Sequence, residues 1–191
     1  MTSATQLETE RLVLREPVAD DAPALQAYHV RNRERLERWD PPRGTELAQH
    51  VSWIAWRSAE SGAGRARSWL AFDRADPSAV AGEVQLDSIT PAPQHNAMIA
   101  YSVDAAYEGK GYAREAVAAV IAYAFGALAL HTLSATYDPA NERSGGLLRR
   151  LGFVVEGYAR DMIYLRGTWR DHILTSLTNP RWIAPGRASE P

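Results

Sequence analysis

The run Tyr107-Glu108-Gly109-Lys110-Gly111-Tyr112-Ala113 carries the densest chemical signal in the chain. It falls between a predicted strand and a predicted helix. Glycines let a backbone turn sharply and approach a ligand closely. The first turn of a helix offers unpaired N–H groups and the positive end of its dipole, so loop and helix together suit a diphosphate. Two other glycine-loop readings fail on spacing. A dinucleotide-binding fingerprint needs Gly or Ala where Arg114 stands, and a nucleotide-triphosphate loop needs Ser or Thr after Gly-Lys, where this chain has Gly111. For the loop taken alone, a ligand-free strand-to-helix turn stays open as the alternative.

Other chemistries are poorly supplied. The chain has no cysteine, which removes disulfides, thiolate metal sites and a cysteine nucleophile, and fits a reducing compartment. The histidines His29, His50, His95, His131 and His172 show no i, i+4 pair for a zinc helix, so no metal is expected and they read as structural or surface residues. The net charge of -2 and pI near 6.2 give no basic excess for nucleic acid. The basic run Arg31 to Arg38, interrupted by Glu34 and Glu37, reads as a solvated helix face with ion pairs. Nothing approaches the roughly 18 apolar residues of a membrane span. The polar start reads as no signal peptide, and a cytoplasmic location is expected.

The elements that must position the loop alternate along the chain. With 191 residues, 46% of them hydrophobic, one ordinary domain is expected over residues 7–183, with loose termini at 1–6 and 184–191. Arg11 to Arg15 reads as a strand. Asp20 and Asp21 offer an N-cap to a helix running from Pro23 towards Trp39, stopped by Pro41-Pro42. Thr45 to Ser58 is a second helix, and its Trp53-Ile54-Ala55-Trp56 cluster reads as core packing, with the wall of a ligand site as the alternative. Ser68 to Asp73 and Glu83 to Ile89 form a predicted hairpin. Ala97 to Val103 alternates, with Ala97, Ile99, Tyr101 and Val103 on one face. Tyr112 to Leu130 is apolar on nearly all sides, which predicts a buried helix. Thr132 to Tyr137, Gly145 to Arg150, and a hairpin of Tyr158 to Leu165 with His172 to Leu177 complete the order. This is an α/β pattern with hairpins at both ends, hence a mixed sheet.

Glu108-x-x-Gly111-x-Ala113 resembles motif A of the Gcn5-related (GNAT) N-acetyltransferases. Glu8-Thr9-Glu10-Arg11-Leu12, Arg114-Glu115-Ala116-Val117, Asn141-x-x-Ser144 before Leu151-Gly152-Phe153, and Gly167-x-Trp169-x-Asp171 resemble their ribosomal-protein N-terminal acetyltransferase (RimJ/RimL-like) branch. The resemblance runs from about Glu8 to Trp182. It implies a GNAT fold: a mixed, mostly antiparallel central sheet flanked by helices, splayed into a cleft for acyl-CoA. It also implies transfer of an acetyl group from acetyl-CoA, as co-substrate, to a primary amine by direct attack on the thioester. Pantetheine would pair with the strand holding Ile99, Tyr101, Ser102 and Val103. The diphosphate would take backbone N–H groups around Glu108, Gly109, Lys110, Gly111, Tyr112 and Ala113. Asn141 would bond pantetheine amides, and Arg114, Arg143 or Lys110 would meet phosphates, in no ranked order.

For catalysis the resemblance assigns the Ser144 hydroxyl to the sulfur, with capping of the next helix as the competing role. An amide near Ser102 or Val103 would meet the developing oxyanion. The acidic residue that serves as base in this branch is replaced by Ile163, which leaves Asp161, two residues earlier, and Glu83 as candidates. Glu108 also departs from the usual Gln or Arg and would repel phosphates unless turned away. Gly145-Gly146 either answers a packing need or opens room for a longer acyl group. The expected acceptor is a protein N-terminus, with a small-molecule amine as the alternative, and monomer and homodimer are both open. A non-catalytic acyl-CoA-binding regulatory module is the rival of another class.

Overall fold

The computed structural model describes residues 5–184. Strands β1 (Gln6–Glu8) and β2 (Leu12–Arg15) lead through a 3-10 turn into helices α1 (Ala22–Leu36) and α2 (Leu47–Gly62). Strands β3 (Arg67–Asp73), β4 (Val80–Thr90) and β5 (Asn96–Val103) follow, then α3 (Tyr112–Gly126), β6 (Thr132–Tyr137), α4 (Glu142–Arg150), β7 (Val154–Leu165) and β8 (Thr168–Thr178). The expected termini lie outside the described residues at 1–4 and 185–191, whereas Gln6 starts β1.

The strands form one sheet in the order β1-β2-β3-β4-β5-β6-β8-β7. Every neighbouring pair is antiparallel except β5–β6. That single parallel pair is short: Asn96, Ala97 and Met98 meet Thr132, Leu133 and Ser134, and the ladder stops there. On its other side β5 stays paired with β4 as far as Val103. The stretch from Ile99 to Val103 therefore keeps one edge unpaired, and the sheet splays open between β5 and β6.

Both faces of the central strands are covered, which is why β3 is buried from Ser68 to Asp73. Strand alternation divides its side chains between two clusters. Trp69 and Ala71 join Leu12, Val84, Leu86, Ile99 and Leu133 against α3. Leu70 and Phe72 join Leu25, Tyr28, Ile54 and Val80 under α1 and α2. Trp53 packs on this second cluster, but Trp56 is exposed, so half of the expected tryptophan core faces solvent.

Several local expectations are corrected. Asp21 makes no capping bond to α1. Its carboxylate is held by a bidentate contact from Arg15, both bonds 2.6 Å, and accepts the Val18 amide. Helix α3 ends at Gly126, not Leu130, because the amides of Ala127 and Leu128 return to the Tyr123 carbonyl and Leu130 N–H reaches Ala124. It buries one stripe, Ala116, Val117, Val120 and Ala124, instead of all sides. Among the described residues no helix is long and apolar enough to cross a membrane.

The α1–α2 face of β4 is polar, and α2 meets it with a buried arginine. Arg57, 3% exposed, donates to Ser68 Oγ, Asp87 and the Arg67 carbonyl. Arg57→Ala leaves these acceptors without their donor inside the protein. The expected cost is about 3 kcal/mol, seen as a melting temperature lower by roughly 6–12 °C in a thermal unfolding scan.

Candidate active site

The glycine loop is held from below so that its amides face outward. Gly109 and Gly111 take φ of 72° and 85°, values that L side chains rarely adopt. Among the described residues, the amides of Gly109 to Ala113 donate to no protein acceptor. The support comes from the β1–β2 turn. Glu115, in the first turn of α3, accepts Thr9 Oγ1 at 2.6 Å, the Arg11 amide at 2.8 Å and Arg11 Nε at 2.7 Å, while Arg11 Nη1 donates to the Lys110 carbonyl at 2.9 Å. Burial opposes the charge on Glu115, but the bonds from Thr9 and Arg11 outweigh it and hold its carboxyl below the ordinary value.

Glu108 is turned away from the loop amides. It accepts Arg35 Nη1 at 2.8 Å and is paired with Arg143, so its charge is neutralised on the protein side. Arg35 also bonds the Val103 carbonyl, and Arg31 binds Asp104 and the Val80 carbonyl. Of the four arginines in this run, Arg33, paired i, i+4 with Glu37, and Arg38 are exposed as the predicted solvated face requires. Arg31 and Arg35 lock α1 to the end of β5 and to the loop. Arg143 is thus partly committed to Glu108, whereas Lys110 and Arg114 enter no ion pair among the described residues.

On the α3–α4 side of the splay, Ser144 Oγ and Tyr101 Oη stand 2.9 Å apart. Ser144 is not the cap of α4. Asn141 is, accepting the Ser144 amide at 3.2 Å through Oδ1, which leaves its side-chain NH2 for other partners. Burial pushes the Tyr101 hydroxyl up to about 12, so it keeps its proton at neutral pH. Gly145 answers a packing need: a Cβ there would lie 2.6 Å from the Tyr137 ring. The room that the sequence left open for a longer acyl group is filled at this position by Tyr137.

On the α1–α2 side, Glu83 and Ser102 are register partners on β4 and β5. Ser102 Oγ bonds the Tyr28 hydroxyl at 2.7 Å. Glu83 is 2% exposed; its Oε2 accepts Gln85 at 3.0 Å and lies 3.8 Å from Arg43, and its Oε1 lies 2.6 Å from His29 Nε2. Burial opposes its charge, yet Arg43 and His29 together leave the carboxyl lowered. His29 Nδ1 in turn meets His50 Nε2 at 2.9 Å. A recess beside this group is lined by Asp40, Glu37, Leu36, Arg43 and Ser102. Asp40 reaches solvent at its rim, but burial of its carboxyl in the recess, with Glu83 nearby, raises it above the ordinary carboxylate value.

Asp161 is elsewhere. It is exposed, has φ of 50° and sits where the β7–β8 register shifts between Ala159 and Ile163. The shift breaks the alternation on which its shared face with Ile163 was argued. The loop, Asn141, Ser144 and Tyr101 thus gather at one side of the splay and Glu83 at the other, without Asp161. His29, His50, Tyr28, Arg43 and Asp40 escaped the sequence reading. They come from α1, the following loop and α2, and the only signal was polar residues on helices whose neighbours are apolar.

The free amides and the unpaired edge of β5 fit a ligand with a diphosphate and an amide-bearing arm. The family model described as acetyltransferase (GNAT) domain matches residues 11–154. The chain belongs to the GNAT acetyltransferase family. It is similar to the [ribosomal protein uS5]-alanine N-acetyltransferase of Escherichia coli K12, 36% identical over 184 residues, 95% of this chain and 94% of that one. Its structure resembles the ribosomal-protein-S5-alanine acetyltransferase of Vibrio fischeri, with a TM-score of 0.88 and 34% identity over 94% of this chain and 99% of that chain. It also resembles Mycobacterium smegmatis RimJ in complex with CoA-disulfide, with a TM-score of 0.83 and 26% identity over 92% and 86% of the two chains. In this GNAT fold the residues that face the splay come from β4, β5, α1 and α4.

Proposed function

We propose that this chain transfers the acetyl group of acetyl-CoA to the α-amino group at the N-terminus of a protein, with ribosomal proteins as the acceptor class. The carrying observation is the division of proton chemistry across the end of β5. A buried, ionised Glu83 with its imidazole partner lies on the side of the acceptor recess, and the Ser144–Tyr101 hydroxyl pair lies on the other.

Acetyl-CoA supplies an activated acyl group as a thioester. Its diphosphate is held by the Gly109–Ala113 amides, its pantetheine by the free edge from Ile99 to Val103 and by the Asn141 amide group. In the reaction a nitrogen–carbon bond forms and a carbon–sulfur bond breaks; one proton leaves nitrogen and one reaches sulfur. Glu83 removes the first. Ser144, hydrogen-bonded to the protonated Tyr101, delivers the second. The amide of Ser102 or Val103 meets the oxygen that becomes charged. An α-amine, with a pKa of about 7.7–8.0 against about 10.4 for lysine, asks little of the base.

The test offers acetyl-CoA with three acceptors: ribosomal-protein N-terminal peptides, the same peptides Nα-blocked but containing lysine, and a polyamine. Acetylation confined to free α-amines is expected. Transfer only to lysine or polyamine overturns the acceptor class. Acetyl-CoA binding with no thiol release under any acceptor favours the regulatory module.

A further inference from the structure

Glu83 does not stand alone but ends a buried chain of polar contacts running from the N-terminus of α2. His50 Nδ1 lies 3.0 Å from the Glu46 carbonyl, His50 Nε2 lies 2.9 Å from His29 Nδ1, and His29 Nε2 lies 2.6 Å from Glu83 Oε1. His29 and His50 are 7% and 4% exposed, so water does not complete these contacts. Each of the three contacts needs one proton between two atoms that otherwise present lone pairs. A neutral imidazole carries one N–H and one lone pair. Two neutral imidazoles and an ionised carboxylate therefore supply two protons for three contacts. Tautomer shifts move the deficit along the chain but never remove it. Glu83 Oε1 is among the buried side-chain atoms without a well-directed hydrogen bond, although His29 Nε2 lies 2.6 Å away.

We propose that Glu46–His50–His29–Glu83 is a one-proton store, short of a proton at rest, which takes up the proton released by the acceptor amine. The proposal rests on Glu83 serving as the base. His50 is then a positioning residue: it does not meet the acceptor, and it sets the chain's appetite for the proton by occupying His29 Nδ1. The surroundings fit a proton held at the Glu83 end. From the loop after α1, Arg43 and Asp40 face the group; from α1, Tyr28; from β4, Gln85; from β5, Ser102; and His172 of β8 acts on Asp40. Burial pushes the His50 imidazolium down, and Arg43 and His29 keep Glu83 ionised against its burial.

Two substitutions separate proton counting from packing. In His50→Leu, the single N–H of a neutral His29 satisfies Glu83 directly and the deficit disappears. The chain binds its proton more weakly and sheds it at lower pH, so the rising acid limb of kcat/KM for a peptide acceptor moves down by about one pH unit, with a lower plateau. In His50→Gln, the carboxamide puts its oxygen at one ring-nitrogen position and its NH2 at the other, so one contact of the chain still lacks a proton and the limb stays at the parental position. The unsubstituted protein gives an independent reading: imidazole 15N resonances of His29 and His50, followed against pH by NMR without acetyl-CoA, are expected to move together at one midpoint with uptake of one proton. Separate midpoints, or limbs of His50→Leu and His50→Gln that both superimpose on the parent, overturn the proposal. If no peptide is acetylated, the assignment of function fails while the NMR titration still decides whether the store exists.

Discussion

Glu83→Gln lowers kcat for peptide acetylation by about 10²–10³-fold while acetyl-CoA affinity stays nearly unchanged. The substitution keeps the volume and the polar contacts of a side chain that is 2% exposed, but removes its charge. In the proposed function acetyl-CoA lies on the loop amides, the free edge of β5 and α4, and the Glu83 carboxylate is bonded instead to Gln85, His29 and Arg43. The loss therefore appears in turnover, not in binding. The direction of the carboxyl's shift supports this assignment. A base must be ionised when the amine arrives, and Arg43 with His29 lower Glu83 although burial works against its charge. Asp161→Asn is the matched control. Its carboxylate is exposed on the β7 bulge, and the substitution leaves kcat as it was. Steady-state thiol release with saturating peptide measures both variants, and equal losses in the two would remove Glu83 from the reaction.

The second large effect lies on the sulfur side. Ser144→Ala and Tyr101→Phe each lower kcat by about 10²-fold, and the double variant is expected to lose little more than the worse single one. The reason is that the two hydroxyls, 2.9 Å apart, act as one donor unit. Burial holds the Tyr101 proton up to about 12, so the pair delivers a proton at any pH at which the amine is free to attack. Groups that work as a unit are strongly non-additive. Asn141, not Ser144, caps α4, so Ser144→Ala leaves the melting temperature nearly unchanged. Additive losses in the double-variant cycle would show that serine and tyrosine serve separate steps.

These effects trace what could be read from the chain and what could not. The turn from Glu108 to Ala113 was legible because its signals are local: two glycines, a helix start and a strand before it lie within a few residues. The alternation of β5 was legible for the same reason, since period-two burial is written into consecutive residues, and the β7–β8 hairpin was legible from its Arg166-Gly167 turn. The end of α3 was not, because Leu130 is as apolar as the helix before it and only the turn chemistry after Tyr123 separates them. The role of Glu108 was invisible because its partners, Arg35 and Arg143, lie 73 and 35 residues away. The buried chain behind Glu83 was hidden more deeply. His29 and His50 are 21 residues apart on different helices, and neither has a neighbour in sequence that marks it. Local motifs announce where a cofactor's phosphates go. Long-range packing decides which carboxylate gathers partners, and here it surrounds Glu83 while leaving Asp161 on a bulge.

The proposed function requires that the outward-facing amides of the Gly109–Ala113 turn and the unpaired edge of β5 receive acetyl-CoA. Isothermal titration calorimetry of acetyl-CoA into folded protein tests this directly. One molecule is expected to bind per chain, and Gly111→Val, which forces a β-branched residue to φ near 85°, is expected to abolish the heat while the protein stays folded. Absence of binding to the unsubstituted chain, or undiminished binding to Gly111→Val, would contradict it.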